Sequence, residues 1–311
     1  MDNNLIINWL CEGDVAIQYQ TYRDLMGVPR PDLQQRISSE GWGRAFLEKQ
    51  NPDGHWGQKY YQPKWVSTHY TLLDLKNLQI KPDLPQIRQI IDRVLKTEKG
   101  PDGGVLPIGT SKRSDVCVNG MLLNVAPYFR AEEADLQSIV DFLLSERVAD
   151  GGFNCRSNGQ GCVHSSLHST LSVAEGILEY QQNGYAYRLP ELLAAAATSQ
   201  EFMLMHRLFK SDKTGAVIDV RMTKLPYPSR WKYDILRALD YFQKAALPYD
   251  ARMEDALQLL LQKRLPEGRW KLQSGYAGQV HFNMEKAGQP SRWNTLRALR
   301  VLRRYGETMF S

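Results

Sequence analysis

The sequence predicts an all-α protein built from repeated helix pairs. One observation is an Asn-Pro-Asp-Gly turn that ends at Trp56, with degraded copies that end at Val105, Phe153, Val217 and Trp270. Successive turn ends lie 49, 48, 64 and 53 residues apart, and a period of this size indicates a repeat architecture. A second observation is that strand signals are scarce, since alternating β-branched runs and hairpin dipeptides are few.

Helix-like stretches with one shared core pattern supply a third observation. Each begins with Thr or a β-branched residue and continues with apolar residues and a Leu or Ala. The six copies begin at Thr21, Thr71, Val118, Thr170, Ile235 and Thr295. Second segments with helical periodicity lie between them, at residues 84–96, 131–147, 190–209 and 249–263. We therefore predict inner helices, which carry the shared pattern, alternating with outer helices.

Both ends of the repeat array are apolar and aromatic. The first copy contains Tyr22 and Leu25, and the last contains Trp293 and Leu296. An open array needs polar terminal repeats, so two apolar ends favour contact with each other. We predict a single domain over residues 1–311 that closes into an (α/α)6 toroid, with the inner helices around a central cavity.

The composition argues against several classes of function. The net charge of +5 comes from 39 basic and 34 acidic residues scattered along the chain. Nucleic-acid-binding proteins cluster Lys and Arg on one face, so we predict no nucleic-acid partner. We see no signal-peptide pattern and no run of the roughly 20 apolar residues that cross a membrane. Four cysteines are too few for a disulfide framework here, which predicts reduced thiols and a cytoplasmic location.

The repeat motifs resemble those of a known superfamily. Gln50-x-x-x-Gly54-x-Trp56 is similar to the QW motif of squalene and oxidosqualene cyclases. The Gly-rich turns followed by inner helices resemble the β subunits of protein prenyltransferases. The resemblance to the prenyltransferase/squalene-cyclase-like superfamily covers nearly the whole chain. It implies an α/α toroid that acts on an isoprenoid or other apolar small molecule in its central cavity.

One group of residues is a candidate metal site. Asp115 and Cys117 lie at one predicted inner-helix start and His168 lies at the next. A carboxylate, a thiolate and an imidazole are ligands that Zn²⁺ accepts, with a fourth position left open. The pattern Lys112-x-x-Asp115-x-Cys117 resembles prenyltransferase β subunits, in which these ligands hold zinc and the Lys helps to bind the prenyl diphosphate. The resemblance implies Zn²⁺ at Asp115, Cys117 and His168, with Lys112 near the phosphate.

Other readings of these residues remain open. Val118 stands where that family has Tyr, and Gly109 stands where an Arg is expected. Without a metal, Asp115 would begin a helix, and Cys117 and His168 would be buried packing residues. The Gly-rich loop at residues 156–161, between Cys155 and Cys162, is predicted to lie over the cavity mouth as a lid or as the source of a further thiol.

The residue two positions before each repeat start marks the predicted rim of the cavity. These residues are Tyr19, His69, Val116, His168, Tyr233 and Trp293. A largely aromatic wall suits an apolar or cationic guest, because the ring face attracts positive charge. We therefore expect Tyr19, His69, Tyr233 and Trp293 to bind substrate together with Lys112. Packing between helices is the alternative role for the aromatic residues.

Acidic and basic residues limit the chemistry further. No two aspartates are adjacent or two apart, so the clustered carboxylates of protonating and ionising terpene cyclases are missing. Single aspartates on inner helices, at positions 74, 115 and 234, are the remaining candidate acids. Arg23, Arg237 and Arg297 share one inner-helix position. They suit either an anion such as a diphosphate or ion pairs between repeats.

The sequence leaves two classes of function open. One is a prenyltransferase- or terpenoid-cyclase-like enzyme, with zinc-dependent transfer as one possible reaction. The alternative is a non-catalytic α/α toroid that binds a lipid-like ligand or a protein partner.

Overall fold

A computed structural model describes residues 3–155, 163–275 and 277–306, and its described residues are mostly helical. The predicted lid at residues 156–161 and Cys162 lie outside the described residues. The prediction of an all-α protein is confirmed, because the sheet in the described part of the chain is one pair of two-residue strands. No helix in that part is long and apolar enough to cross a membrane.

The helices alternate as predicted from the second predicted inner helix onward, whereas two short helices lie between the first and the second. The predicted inner helices are α2 (Val15–Thr21), which continues as a π-helical turn at Tyr22–Met26, and α5 (Thr68–Asn77), α7 (Val116–Val125), α9 (Leu167–Gln182), α11 (Ile235–Lys244) and α13 (Arg292–Tyr305). The other helices are α1 (Asn3–Cys11), α3 (Pro31–Arg36), α4 (Gly41–Leu47), α6 (Pro85–Thr97), α8 (Glu133–Ser145), α10 (Leu189–Met205) and α12 (Glu254–Gln262). Strands β1 (Trp270–Lys271) and β2 (Pro290–Ser291) pair antiparallel, with Trp270 opposite Ser291.

The recurring turns are fastened to the inner helices by buried side-chain oxygens. Thr170 Oγ1 in α9 accepts from the backbone N–H of Phe153 at 3.0 Å and bonds the Phe153 carbonyl at 3.2 Å. Asn119 in α7 makes the equivalent pair of bonds to Val105, at 2.7 and 2.9 Å. Thr68 Oγ1 accepts from Trp56 N, and Thr295 Oγ1 from Trp270 N. Four of the five predicted turns, those ending at Trp56, Val105, Phe153 and Trp270, therefore share one kind of hydrogen-bonded joint.

The same joint corrects two alignments of the shared helix pattern. In α5 the bonding residue is Thr68, three residues before the aligned Thr71, and in α7 it is Asn119, one residue after the aligned Val118. The tryptophans add a second contact, since the indole N–H of Trp56 donates to the Phe46 carbonyl of α4 at 2.7 Å. Trp270 donates likewise to the Leu260 carbonyl of α12 at 2.8 Å.

Neighbouring inner helices contact one another along the chain. Helix α5 packs against α7, α7 against α9, and α11 against α13. The α7–α9 contact is close because a Cβ on Gly120 would lie only 2.8 Å from the backbone nitrogen of Val173. Arg237 of α11 bonds Glu175 of α9, so these two helices are also joined. The apolar core lies between inner and outer helices, where Leu122 and Ile139 belong to one buried cluster.

The first and last predicted repeats are in contact. Helix α13 packs against α2 and its π-helical turn. Arg300 donates to Gln20 Oε1 at 2.7 Å and pairs with Asp24 at 2.5 Å. Arg303 donates to the carbonyls of Asp24 and Leu25, both at 2.9 Å. The two apolar ends of the sequence therefore cover each other, as predicted from their composition.

Candidate functional site

Side chains from all six inner helices line a central cavity of about 310 Å³. The described residues that line it are Gln20, Arg23, Asp24, Leu73, Lys76, Asn77, Gln79, Asn124, Glu175, Leu178, Glu179, Gln182, Tyr227, Ser229, Arg230, Arg237, Asp240, Tyr241, Lys244, Trp293, Arg297 and Arg300. Most of these side chains are polar or charged. The central cavity therefore differs from the aromatic enclosure that the rim pattern predicts.

Basic side chains outnumber acidic ones in this lining. Among the described lining residues, seven are Lys or Arg and four are Asp or Glu. Asp74 lies behind the wall and pairs with Arg230, which leaves an excess of two positive charges. Burying charges away from water is costly unless they are paired. The cavity is thus a cationic environment, with Arg297 and Arg300 buried in its wall and Lys244 half exposed.

Ion pairs between inner helices hold several of the charged groups in place. Arg237 of α11 lies 2.6 Å from Glu175 of α9, and Lys76 of α5 lies 2.8 Å from Glu179 of α9. Burial alone would raise the pKa of Glu179, but Lys76 holds that pKa below its ordinary value. The first pair joins the neighbouring helices α9 and α11, and the second joins α5 to α9 past the end of α7, so the pairs connect helices as well as neutralise charge.

Asp240 of α11 lies among three cations. Arg297 Nε and Lys244 Nζ each lie 3.4 Å from Asp240 Oδ2, and Arg300 Nη1 lies 4.0 Å from Oδ1. Burial would raise the pKa of Asp240, but Lys244, Arg300 and Arg297 together hold that pKa far below its ordinary value. Within the described structure, Arg297 Nη1 and Arg300 Nε have no hydrogen-bond partner. These two N–H groups of the cluster could therefore donate to a further acceptor.

Arg230 and Asp74 form a deeply buried ion pair. Arg230 Nη1 lies 2.6 Å from Asp74 Oδ2, and the two residues are 7% and 2% exposed. Burial raises the pKa of the Asp74 carboxyl to about 6, although Arg230 acts to lower it. The Arg230 guanidinium also lies over the rings of Tyr70 and Trp65, at 5.5 and 5.8 Å from the ring centres. Asp74 is one of the three candidate acids in the sequence, yet it does not line the central cavity.

A second cavity, of about 400 Å³, lies on the other side of Arg230 and Tyr227. We call it the aromatic cavity because Phe46, Trp65, Tyr227, Val280, Phe282 and Met284 are among the residues that line it. Polar lining is contributed by Arg230, His281, Asn283, Glu285 and Lys286. Phe46 and Phe282 pack with ring centres 4.6 Å apart. Tyr227 and Arg230 line both cavities, so they form a shared wall.

The predicted rim residues fall into packing positions. His69 is 3% exposed, and its Nδ1 shares a hydrogen bond of 2.8 Å with the Tyr60 hydroxyl. Burial lowers the pKa of His69 to about 3, with a smaller contribution from Arg230. Tyr233 is 2% exposed and Trp293 is 1% exposed. Of these three, Trp293 lines the central cavity, and its ring stacks on that of Tyr227 at 4.7 Å.

Tyr19 and Lys112 lie apart from these residues. Tyr19 is half-buried, and the Arg23 guanidinium lies 5.2 Å from its ring centre. Lys112 is exposed in the segment before α7. Neither residue lines the central or the aromatic cavity. The prediction that they bind substrate therefore stays a prediction.

The predicted zinc ligands each have other neighbours. The backbone N–H of Tyr233 donates to His168 Nδ1 at 2.7 Å, which places the ring proton on Nε2. His168 packs edge-on against Trp231. The Cys117 thiol bonds the Cys155 thiol, and the Cys117 backbone N–H lies 3.3 Å from the Cys155 sulfur. Asp115 is the residue before α7 and is half-buried.

The predicted zinc ligands are not brought together in the part of the chain that is described. No group of three or more His, Cys, Asp or Glu side chains there is arranged to hold a metal ion. His168 Nδ1 is already bonded, and Cys117 is directed to another thiol. The zinc site therefore stays a prediction from sequence. Ligand binding in the central and aromatic cavities does not depend on it.

Sequence reasoning missed most of the charged cluster. Arg237 and Arg297 were singled out by their shared helix position, and both line the central cavity. Arg300 and Asp240 were not, although each is a charged residue inside an apolar inner-helix pattern. Such residues are buried only when paired, so their position in the pattern was the available signal.

No family model matches the chain, and no curated protein sequence matches it. Among solved structures, the chain is similar to the type II terpene cyclase MstE from Scytonema in its apo form, with 13% sequence identity and a TM-score of 0.35. That match covers 85% of this chain and 95% of the cyclase chain. A similarity of this size carries no information about activity.

Proposed function

We propose that the chain forms a closed α/α toroid that binds an isoprenoid or another small molecule with an apolar chain in its aromatic cavity. Closure is supported by a bond of 3.0 Å from Gln20 of α2 to the Asn77 carbonyl of α5, by the contacts that join α5, α7, α9, α11 and α13 in order, and by the packing of α13 against α2. The observation that carries the binding proposal is the aromatic cavity itself, about 400 Å³ with aromatic and aliphatic side chains in its lining. Ligand cavities of this size and character bind apolar molecules by removing their surface from water.

The aromatic cavity has polar groups that suit one end of such a ligand. Arg230 lies in its wall with the guanidinium already paired to Asp74. His281 Nε2 bonds Thr71 Oγ1 at 3.0 Å, and burial lowers the pKa of His281 to about 4. A neutral imidazole and a fixed cation orient a ligand without adding mobile charge. Ligand binding without catalysis is sufficient to account for these polar groups in the aromatic cavity.

A charged residue in the apolar lining tests the proposal. Val280→Glu places a carboxylate among the aromatic side chains of the cavity, and Val163→Glu, at an exposed valine, is the matched control. The probe is farnesol, an uncharged isoprenoid, and binding is followed by the change in tryptophan fluorescence, to which Trp65 in the lining contributes along with six other tryptophans. We expect farnesol to bind the wild type, with affinity reduced about tenfold or more in Val280→Glu and unchanged in the control. No fluorescence change on saturation, or equal affinity in both variants, would contradict the proposal.

Zinc-dependent transfer through Asp115, Cys117 and His168 remains a separate proposal, supported by the sequence pattern alone. Metal analysis of the purified protein tests it directly. About one zinc per chain, lost in Cys117→Ala and retained in Cys11→Ala, would support it. Equal zinc content in the two variants would remove its basis.

A further inference from the structure

Two arginines of α13 are buried beside the central cavity with donor groups left over. Arg297 and Arg300 are 6% and 7% exposed. Both line the cavity, and Arg297 Nη1 and Arg300 Nε have no hydrogen-bond partner within the described structure. Buried polar groups are nearly always bonded, and a buried cation without its full set of acceptors is costly. An acceptor is therefore expected at this position.

We propose that the central cavity binds a small anion that carries a phosphate or diphosphate group, with Arg297 and Arg300 as its principal ligands. Seven basic side chains face four acidic ones among the described residues of the lining, and Asp74 behind the wall adds a fifth acid. An anion would offset the remaining positive charge. It would also supply acceptors to the two arginines.

The internal ion pairs leave this donor set available. Asp240 is shared between Arg297 and Lys244, and both of its contacts are 3.4 Å long. A direct charged hydrogen bond measures about 2.7–2.9 Å, so neither cation is fully engaged. By contrast, the 2.6 Å pair between Arg237 and Glu175 is fully formed. Arg300 is engaged by Asp24 at 2.5 Å through one nitrogen, and its Nε remains without a partner in the described structure. The unsatisfied donors of the cluster are therefore Arg297 Nη1, Arg300 Nε and the loosely paired Lys244.

The chemistry of the donors favours phosphate. A guanidinium presents a planar fork that matches two oxygens of a phosphate, and two arginines with a nearby lysine match a diphosphate. Gln20 and Asn124, which also line the cavity, add neutral side-chain amides. The volume of about 310 Å³ is sufficient for such a group. A polycarboxylate is the competing anion, and the experiment separates the two.

This inference does not depend on the proposed apolar ligand. The anion site and the aromatic cavity are different volumes that share the Tyr227 and Arg230 wall. Inorganic pyrophosphate has no apolar chain, so its binding reports the central cavity alone. Failure of farnesol to bind would leave the present inference intact, and the reverse also holds.

Calorimetric titration of the full chain with inorganic pyrophosphate tests the inference. Inorganic phosphate and citrate are titrated in parallel, with ionic strength held constant by potassium chloride. We expect pyrophosphate to bind more tightly than citrate. Arg297→Gln is expected to weaken pyrophosphate binding about tenfold or more, because a charged donor is lost. Arg44→Gln, which breaks an exposed pair with Glu48, is the control and is expected to leave the affinity unchanged.

A second variant changes the affinity in the opposite direction. Asp240→Asn removes the carboxylate that competes with the anion for Arg297 and Lys244, so pyrophosphate is expected to bind more tightly. Circular dichroism establishes that each variant folds. The inference is overturned if pyrophosphate does not bind, if citrate binds more tightly, or if Arg297→Gln and Arg44→Gln have equal affinity. It is also overturned if Asp240→Asn binds pyrophosphate more weakly.

Discussion

Single buried titratable residues set part of the pH dependence of this protein. His69 lies in the wall of rings formed by Tyr60, Tyr61 and Tyr70. It was predicted from sequence as an aromatic rim residue, and the structure places it in the core. A histidine in a helical pattern looks the same in either environment. Whether such a histidine lies at the rim or in the core depends on the orientation of its helix, and a single sequence does not specify that orientation.

His69 leads to a prediction on acid stability. Burial lowers its folded pKa to about 3 from the ordinary 6.5, so the unfolded chain binds a proton that the folded chain does not. The free energy of unfolding is therefore expected to fall as pH decreases below about 6.5. Between about pH 7 and pH 5 this residue should account for a loss of about 2 kcal/mol.

Urea unfolding at the two pH values measures this loss. His69→Gln has no proton to gain, so its stability is expected to fall by about 2 kcal/mol less than that of the wild type. His164→Gln, at an exposed histidine, is the control. If the wild type and His69→Gln lose equal stability, His69 is not buried in its neutral form.

At the scale of elements, the recurring hydrogen-bonded joint between turn and inner helix explains why the turns and helices could be predicted from the sequence. The turns ending at Trp56, Val105, Phe153 and Trp270 are visible in the sequence, and the last backbone N–H of each donates to a side chain of the next inner helix. The bonding residue is Thr in three cases and Asn in one. Thr and Asn both present a side-chain acceptor, so exact residue identity varies while the joint does not. In α7 this variation concealed the bonding residue, because Asn119 stands in place of Thr, whereas in α5 a second threonine, Thr71, was aligned instead of Thr68.

Thr170→Val tests the energetic value of one joint. Val keeps the shape of Thr but removes the hydroxyl that bonds both backbone groups of Phe153. The Phe153 N–H is buried, so losing its partner should cost about 1–3 kcal/mol of unfolding free energy. Thr170→Ser keeps the hydroxyl and should cost less, and Thr110→Val, at an exposed position, should cost little. Chemical denaturation in which Val and Ser cost the same would show that the hydrogen bonds contribute nothing.

The charged lining was less predictable than the joints. The sequence places Arg297 and Arg237 at one inner-helix position, and ion pairing between repeats was one of the two roles expected for them. The structure shows those pairs and also shows donors that they leave unused. Whether a charged side chain faces a neighbouring helix or a cavity depends on the rotation of each helix within the assembly. That rotation depends on contacts between distant parts of the chain, such as the close α7–α9 approach.

At the scale of the whole molecule, the chain ends are joined by a buried ion pair. Arg300 lies 2.5 Å from Asp24, with side chains 6% and 18% exposed, and Asp24 also pairs with Arg23. Burial would raise the pKa of Asp24, but Arg300 and Arg23 hold it below its ordinary value. The apolar ends of the sequence predicted this contact. They did not predict the pair, because Asp24 and Arg300 carry no distinguishing motif.

A double-mutant cycle tests whether this pair helps to hold the ends together. Asp24→Asn removes the nearest charged partner of the buried Arg300, leaving Asp240 at 4.0 Å, and is expected to cost about 3 kcal/mol of unfolding free energy. The double variant Asp24→Asn with Arg300→Gln should cost clearly less than the two single costs together. The same cycle on Arg44 and Glu48, whose side chains are 61% and 57% exposed, should give a coupling near zero. Additive costs at Asp24 and Arg300 would show that the ends are held by packing alone.

The central proposal is that the inner helices form a closed ring around a cationic cavity, and that this cavity accepts an anion. A crystal structure of the protein grown with inorganic pyrophosphate tests this directly. We expect contact between α2 and α13, and a pyrophosphate whose oxygens lie within hydrogen-bond distance of Arg297 Nη1 and the Arg300 guanidinium. A structure in which α2 and α13 are apart, or in which the two arginines face away from the cavity and no anion is bound there, would contradict it.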